Sequence, residues 1–229
     1  MGKDIHEMAI NIAIDGPAGA GKSTIAKMLA KELGYVYVDT GAMYRAMAYY
    51  FLQQGIDKED EAVINAAVDG ADVTIRYEDG SQKVLLNGAD VTGSLRTEQV
   101  GNMASSTSVY PAVRVKLVAL QQKLAKTADV IMDGRDIGTC VLPDAQVKIY
   151  LTASVETRAK RRYDELVEKG EPADRTKIEE DIKERDYRDM HREMSPLRQA
   201  DDAVLVDSSD MSIEQVVSAI LGIVKEKQA

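Results

Sequence analysis

Tryptophan is absent from this 229-residue chain, phenylalanine occurs once, and aromatic residues of all kinds make up 5%. Few stacking platforms are left, and a net charge of -9 offers no broad basic surface, so a nucleic-acid binder is disfavoured on both counts. The single cysteine, Cys140, excludes an internal disulfide and a cysteine-rich zinc site. Flanked by Thr139, Val141 and Leu142, it is expected to be a small buried residue, in keeping with a reducing cytoplasm. Only two histidines occur, His6 and His191; they supply neither a metal-ligating array nor a Ser/His couple, and both are expected at the surface, His191 without an obvious partner. No apolar run approaches the roughly 20 residues that cross a bilayer. The opening MGKDIHEMA has no apolar core of a signal peptide, and His6 stands where an N-myristoylation signal has Ser or Thr. A soluble cytoplasmic protein is expected. There is also no Asn-Lys-x-Asp segment to read guanine, which argues against a switch GTPase.

What is present reads as one globular α/β domain: 45% hydrophobic and 29% charged residues over this length suit a single core. Short apolar runs, INIAI at 10–14, YVYVD at 35–39, VIMD at 130–133, VKIYL at 147–151 and AVLVD at 203–207, alternate with helix-like segments. That alternation is the signature of a parallel sheet covered on both faces. Three of these runs end in Asp, at the carboxyl edge where open α/β sheets bind ligands. The stretch DVTIRYEDGSQKVLLNGADVTG at 72–93 departs from the pattern. Its alternation and its Asp79-Gly80 and Asn87-Gly88 dipeptides predict a three-stranded antiparallel meander, separate from the main sheet. Further helices are predicted at 23–33, closed by Gly34, at 176–192, ended before Ser195-Pro196, and at 212–225, opened by a Ser212/Gln215 capping box.

The segment GPAGAGKST, Gly16, Pro17, Ala18, Gly19, Ala20, Gly21, Lys22, Ser23 and Thr24, matches the phosphate-binding loop, and it lies between a predicted strand and a predicted helix as that loop requires. Glycines let backbone N–H groups converge on phosphate oxygens and the helix N-terminus adds its dipole. Lys22 is expected at the β- and γ-phosphates and Ser23 on Mg²⁺, so the expected ligand is a nucleoside triphosphate. Asp133, at the end of the third strand, stands where a carboxylate holds Mg²⁺ through its water shell.

A second anion site is indicated by the arginines, eight of the thirteen lying at positions 158–198. Arg185, Arg188 and Arg192 share one helical face with Asp189, and Arg158, Arg161 and Arg162 repeat the spacing. Arg45 follows the second strand, beside Thr40, and Arg135 and Asp136 follow the third. Transfer between two phosphates gathers negative charge and is catalysed mainly by positioning and neutralisation. A phosphate monoester already presents a nucleophilic oxygen, so no general base is needed. On these residues alone, a kinase for a small hydroxylated acceptor and a nucleotide-binding regulator stay open beside a kinase acting on a monophosphate.

Together GPAGAGKST, DTGAMYR, the meander, SVYPAVR, DGRDIGT, RDYRDMHR and SPL before AVLVDSS resemble the bacterial cytidylate kinases, within the nucleoside monophosphate kinases. The resemblance runs from about residue 10 to the last helix. It implies a P-loop kinase fold with a five-stranded parallel sheet of order 2-3-1-4-5, a core at 1–40, 101–152 and 176–229, a monophosphate-binding insert at 41–100 and a lid at about 153–175. It implies a monomer that uses ATP and Mg²⁺ to phosphorylate CMP and dCMP. By the same resemblance Ser105, Arg114 and Asp136 read cytosine, and Arg45, Arg135 and Arg192 surround the acceptor phosphate. Arg185 and Asp189, with Arg188 beside them, meet the pentose, and Thr40 supplies a hydroxyl. Arg161 and Arg162 belong to the lid and, with Lys22, Arg135 and Arg192, to the catalytic set.

Overall fold

The computed structural model describes residues 9–78 and 80–228; His6, the leader reading and Asp79 of the first hairpin dipeptide lie outside them. Five parallel strands form the main sheet: β1 Asn11–Asp15, β2 Val36–Asp39, β6 Val130–Gly134, β7 Val147–Thr152 and β8 Val204–Asp207. Their order is β2-β6-β1-β7-β8; counting the parallel strands alone along the chain, this is the expected 2-3-1-4-5. A separate three-stranded sheet, β3 Val73–Glu78, β4 Ser81–Leu86 and β5 Ala89–Asp90, is antiparallel throughout. The positive φ of Asn87 and Gly88, 51° and 82°, forms the predicted turn between β4 and β5.

The helices are α1 Lys22–Leu33, α2 Thr40–Gln53, α3 Glu61–Ala67, α4 Glu98–Thr107, α5 Pro111–Ala125, α6 Val155–Glu168, α7 Arg175–His191 and α8 Ile213–Gln228. Most begin where the sequence offers a side-chain acceptor for an orphan N–H. Asp39 caps α2, Thr97 caps α4, Ser154 caps α6 and Asp174 caps α7. Ser212 and Gln215 exchange both bonds of the capping box, at 2.8 and 3.2 Å. Among the described residues, no helix is long and apolar enough to cross a membrane.

Alternating side chains divide the core in two. Ala13, Val38 and Met132 face Met47, Phe51, Leu117 and the meander, while Ile12, Ile14, Ile131 and Ile149 face α1 and α8 through Leu29 and Ile220. The sheet is thereby clamped on both sides, and its carboxyl edge holds Asp15, Asp39, Asp133 and Asp207 in a row fixed by strand register.

Candidate active site

The phosphate loop leaves β1 at Asp15 and enters α1 at Lys22. Its first glycine is dictated by packing: a Cβ on Gly16, where φ is +150°, would sit 1.9 Å from the Leu151 carbonyl oxygen. Gly21 takes φ 88° at the helix cap, turning the amides of the first turn toward the loop interior. Lys22 is buried and donates to the Pro17 carbonyl at 2.7 Å. Burial, and then the nearby Arg135 guanidinium, push its ammonium well below the usual lysine range.

Ser23 and Asp133 meet at the end of β6. The Ser23 hydroxyl donates to Asp133 Oδ2 at 2.9 Å and the Tyr37 hydroxyl to Oδ1 at 2.8 Å. Burial, aided by Asp39, raises the Asp133 carboxyl above its ordinary value. An alcohol and a carboxylate side by side form the hard oxygen set that Mg²⁺ selects when phosphates complete its sphere. Among the described residues no group of three His, Cys, Asp or Glu side chains could hold a metal by itself.

Next to the loop stands a crowd of cations. Arg135 donates to Asp189 Oδ2 at 2.8 Å and to the Gly134 carbonyl at 3.2 Å. Burial acts to raise the Asp189 carboxyl, yet Arg135 and Arg185 hold it below its usual value. The Arg185 Nε is buried with no partner; burial first and Arg135 second bring its guanidinium down to about 10. The Arg45 side chain forms no hydrogen bond or ion pair among the described residues and adds to the same repulsion. Thr40 starts α2 and donates to the Asp133 carbonyl at 2.6 Å. Uncompensated buried cations are costly, and an anion is what relieves them.

On the far side of Arg135, Asp136 bonds Arg114 through Oδ2, and its Oδ1 lies 3.5 Å from Arg192. All three side chains are buried. Arg114 also lies over the Tyr44 ring, 5.9 Å from its centroid, and burial pushes the Tyr44 phenol up to about 12. Arg192 Nε donates to the carbonyl of Ser195 at 2.7 Å, and Ser195 takes a left-handed φ of 50°. A groove of about 370 Å³ opens beside them, lined by Ser105, Val109, Tyr187, Asp189, His191 and Arg192. Arg188 lines it as well but leans toward Glu184 at 3.9 Å, at the surface.

Comparison with known proteins puts this geometry in context. The family model for cytidylate kinase matches residues 12–226. A cytidylate kinase from Caldicellulosiruptor saccharolyticus is 54% identical over 93% of this chain and 94% of its own length. One from Lactobacillus johnsonii is 50% identical over 96% and 95%. The chain belongs to the cytidylate kinase family. A crystal structure of an uncharacterized protein from Eubacterium ventriosum shares the fold with a TM-score of 0.51 at 14% identity, covering 94% of this chain and 98% of its own.

In this kinase the two arginines expected to belong to a lid over the phosphates are engaged elsewhere. Arg161 donates to the Ser208 carbonyl at 2.7 Å, and Arg162 pairs with Glu165 at 2.9 Å on the surface. The inward residue of that cluster is Arg158, buried, bonded twice to Asp186 at 3.0 and 2.6 Å, and donating to Ala153 and to Ala18 of the phosphate loop. Sequence spacing grouped the three arginines but did not single it out; its place one helical turn past the Ser154 cap, facing the loop, was the available signal.

Asp15 and Tyr37 were missed as well. Asp15 is one more carboxylate on the strand edge, and Tyr37 alternates inward with Asp39. Two expectations are corrected. Cys140 is exposed, because the turn at Ile137–Val141 has π-type bonding and swings it outward while Val141 points in. His191 does have a partner: its ring stacks on Tyr187 at 4.0 Å and its Nδ1 lies 2.8 Å from the Tyr187 carbonyl, one turn earlier in α7.

Proposed function

We propose that the chain transfers the γ-phosphoryl group of ATP to CMP and dCMP, giving ADP and CDP or dCDP. The observation that carries this reading is the unpaired, buried Arg185 Nε among Arg135, Arg45 and Lys22. A pre-formed excess of positive charge between the phosphate loop and the Arg114–Asp136–Arg192 cluster suits two phosphates brought end to end.

In this reading Gly16 to Thr24 bind the ATP phosphates, with Lys22 across the β- and γ-groups. Ser23, and Asp133 through water, would hold Mg²⁺, which when bound neutralises phosphate charge. The acceptor phosphate lies among Arg45, Arg135 and Arg192, with Thr40 at its edge. One of its oxygens attacks the γ-phosphorus as the bond to the β-bridging oxygen breaks, and the leaving oxygen stays with ADP. A dianionic acceptor needs no base. Arg185, Arg188 and Asp189 meet the pentose, the free Nε of Arg185 adding its charge beside the acceptor phosphate, and Arg161 and Arg162 act from the lid once released from Ser208 and Glu165. Ser105, Arg114 and Asp136 read the base: a carboxylate accepts from cytosine N4–H, whereas uracil O4 would oppose it. Free nucleotides are then the partners of a cytoplasmic monomer, with no role for nucleic acid or membrane.

The test is ADP release from ATP and Mg²⁺ with CMP, dCMP, UMP, AMP, GMP and shikimate offered separately, with products separated by chromatography. Turnover is expected with CMP and dCMP. UMP should be poorer by about 10- to 100-fold, the order of one unpaired buried polar group. Lys22→Ala should lose at least a hundredfold in kcat. Preference for another acceptor would refute the base assignment, and product-free ATP hydrolysis would refute the kinase reading.

A further inference from the structure

Asp15 has no part in the chemistry above, yet it is buried and forms no ion pair among the described residues. Its two oxygens are spent on backbone: Oδ1 accepts the Ile137 N–H at 2.8 Å and Oδ2 the Gly138 N–H at 2.7 Å. Those amides open the π-type turn in which Val141 N–H reaches back to Asp136 and Leu142 N–H to Ile137, so they have no partner inside the turn. Gly138 packs closely here: a Cβ on it would lie 3.2 Å from Lys148 Cδ and in ordinary contact, at 3.4 Å, with Asp15 Oδ2. Lys148 grips the turn from β7, with its ammonium on the Pro143 carbonyl at 2.5 Å and on Asp202 at 2.8 Å.

Arg135 and Asp136 stand immediately before the clamped amides, and Asp15 itself stands immediately before Gly16, paired in register with Gly134. One side chain therefore joins the first residue of the donor loop to the turn that presents the acceptor-side guanidinium and the base-reading carboxylate. We propose that Asp15 is a positioning residue that sets Arg135 and Asp136 in register with the donor phosphate loop. This rests on the reading of the site as a cytidylate kinase centre. Only a carboxylate suits the position, because Asn offers one acceptor oxygen and an NH₂ group, and the NH₂ would oppose a backbone N–H.

The test uses full-length Asp15→Asn and Asp15→Glu. It measures kcat/KM for CMP and for UMP, affinity for a non-hydrolysable ATP analogue, and thermal midpoint. For Asp15→Asn we expect analogue affinity within about twofold of the parent, kcat/KM for CMP at least tenfold lower, and the CMP-to-UMP ratio at least fivefold lower, since Asp136 loses its setting. A merely structural role would lower the melting point and leave that ratio intact, and such a result overturns the proposal. So does a loss of analogue affinity equal to the loss on CMP. Should Asp15→Asn not fold, Asp15→Glu decides: it keeps the carboxylate but moves it by one methylene away from the Ile137 and Gly138 amides, and it must lower the ratio, or the proposal fails. If the parent itself does not use CMP, the functional reading falls first; if it does and the variants keep its ratio, the Asp15 proposal alone falls.

Discussion

Four carboxylates close the strands of the main sheet, and their neighbours give them different work. Asp207 is exposed and holds only the Ser209 amide and hydroxyl. Asp39 caps α2 through the Ala42 N–H. Asp133 accepts two hydroxyls, and Asp15 two amides. Burial outweighs those amides and raises the Asp15 carboxyl from 3.8 to about 6. The native state thus binds this proton more readily than the unfolded chain does. The resulting contribution to stability is present at low pH and is lost as pH rises through about 6. Between pH 7 and pH 5 the parent should gain about 1 kcal/mol in chemical denaturation relative to Asp15→Asn. An equal response of both proteins would show that Asp15 does not titrate in that window.

Among the elements, the meander docks on the sheet through its side chains. Gln82 of β4 accepts from the Asp39 N–H at 2.8 Å and donates to the Asp39 carbonyl at 3.3 Å, and the Tyr77 hydroxyl donates to the Tyr37 carbonyl at 2.9 Å. These bonds satisfy the Asp39 N–H and the Asp39 and Tyr37 carbonyls of edge strand β2, outward groups that would otherwise invite pairing. They also steady the residue from which α2 carries Thr40 and Arg45. Gln82→Met keeps the length and removes both bonds, so it should raise KM for CMP about threefold or more and leave KM for ATP unchanged. Steady-state kinetics with each substrate varied in turn would check this, and a parallel rise in both constants would refute it. The hairpin pattern announced the meander, but its docking depends on which face of β4 meets β2, a matter of packing rather than alternation.

For the whole molecule, the main question is how the donor loop, α6 and α7 are held together. Arg158 bridges them, with Asp186 on α7 and the Ala18 carbonyl on the loop. The root of the expected lid is therefore anchored, and its exposed part is the distal end of α6 with the loop leading to α7. Arg158→Ala would leave the Asp186 charge buried without its partner, and such losses cost about 3–5 kcal/mol. Urea denaturation should show a destabilisation of that order. A change below about 1 kcal/mol would mean that solvent already screens the pair.

The sequence by itself determined whatever depends on neighbours along the chain. The phosphate loop could be read because its glycines, lysine and serine are contiguous at a strand-to-helix junction. The alternating apolar runs, the Asn-Gly turn and the Ser212 capping box are local patterns of the same kind, and the family motifs add their order to these. Only the tertiary structure decided which charges are compensated. Asp15 meets amides 122 and 123 positions away, Arg158 meets a carbonyl 140 positions away, and the Arg185 Nε is left buried without a partner. A guanidinium on a helix face reads alike whether it is solvated, clasped or waiting for an anion. The difference lies in burial and in contacts across the sheet edge, which exist only once the strands have taken their order and the two cores have closed on them.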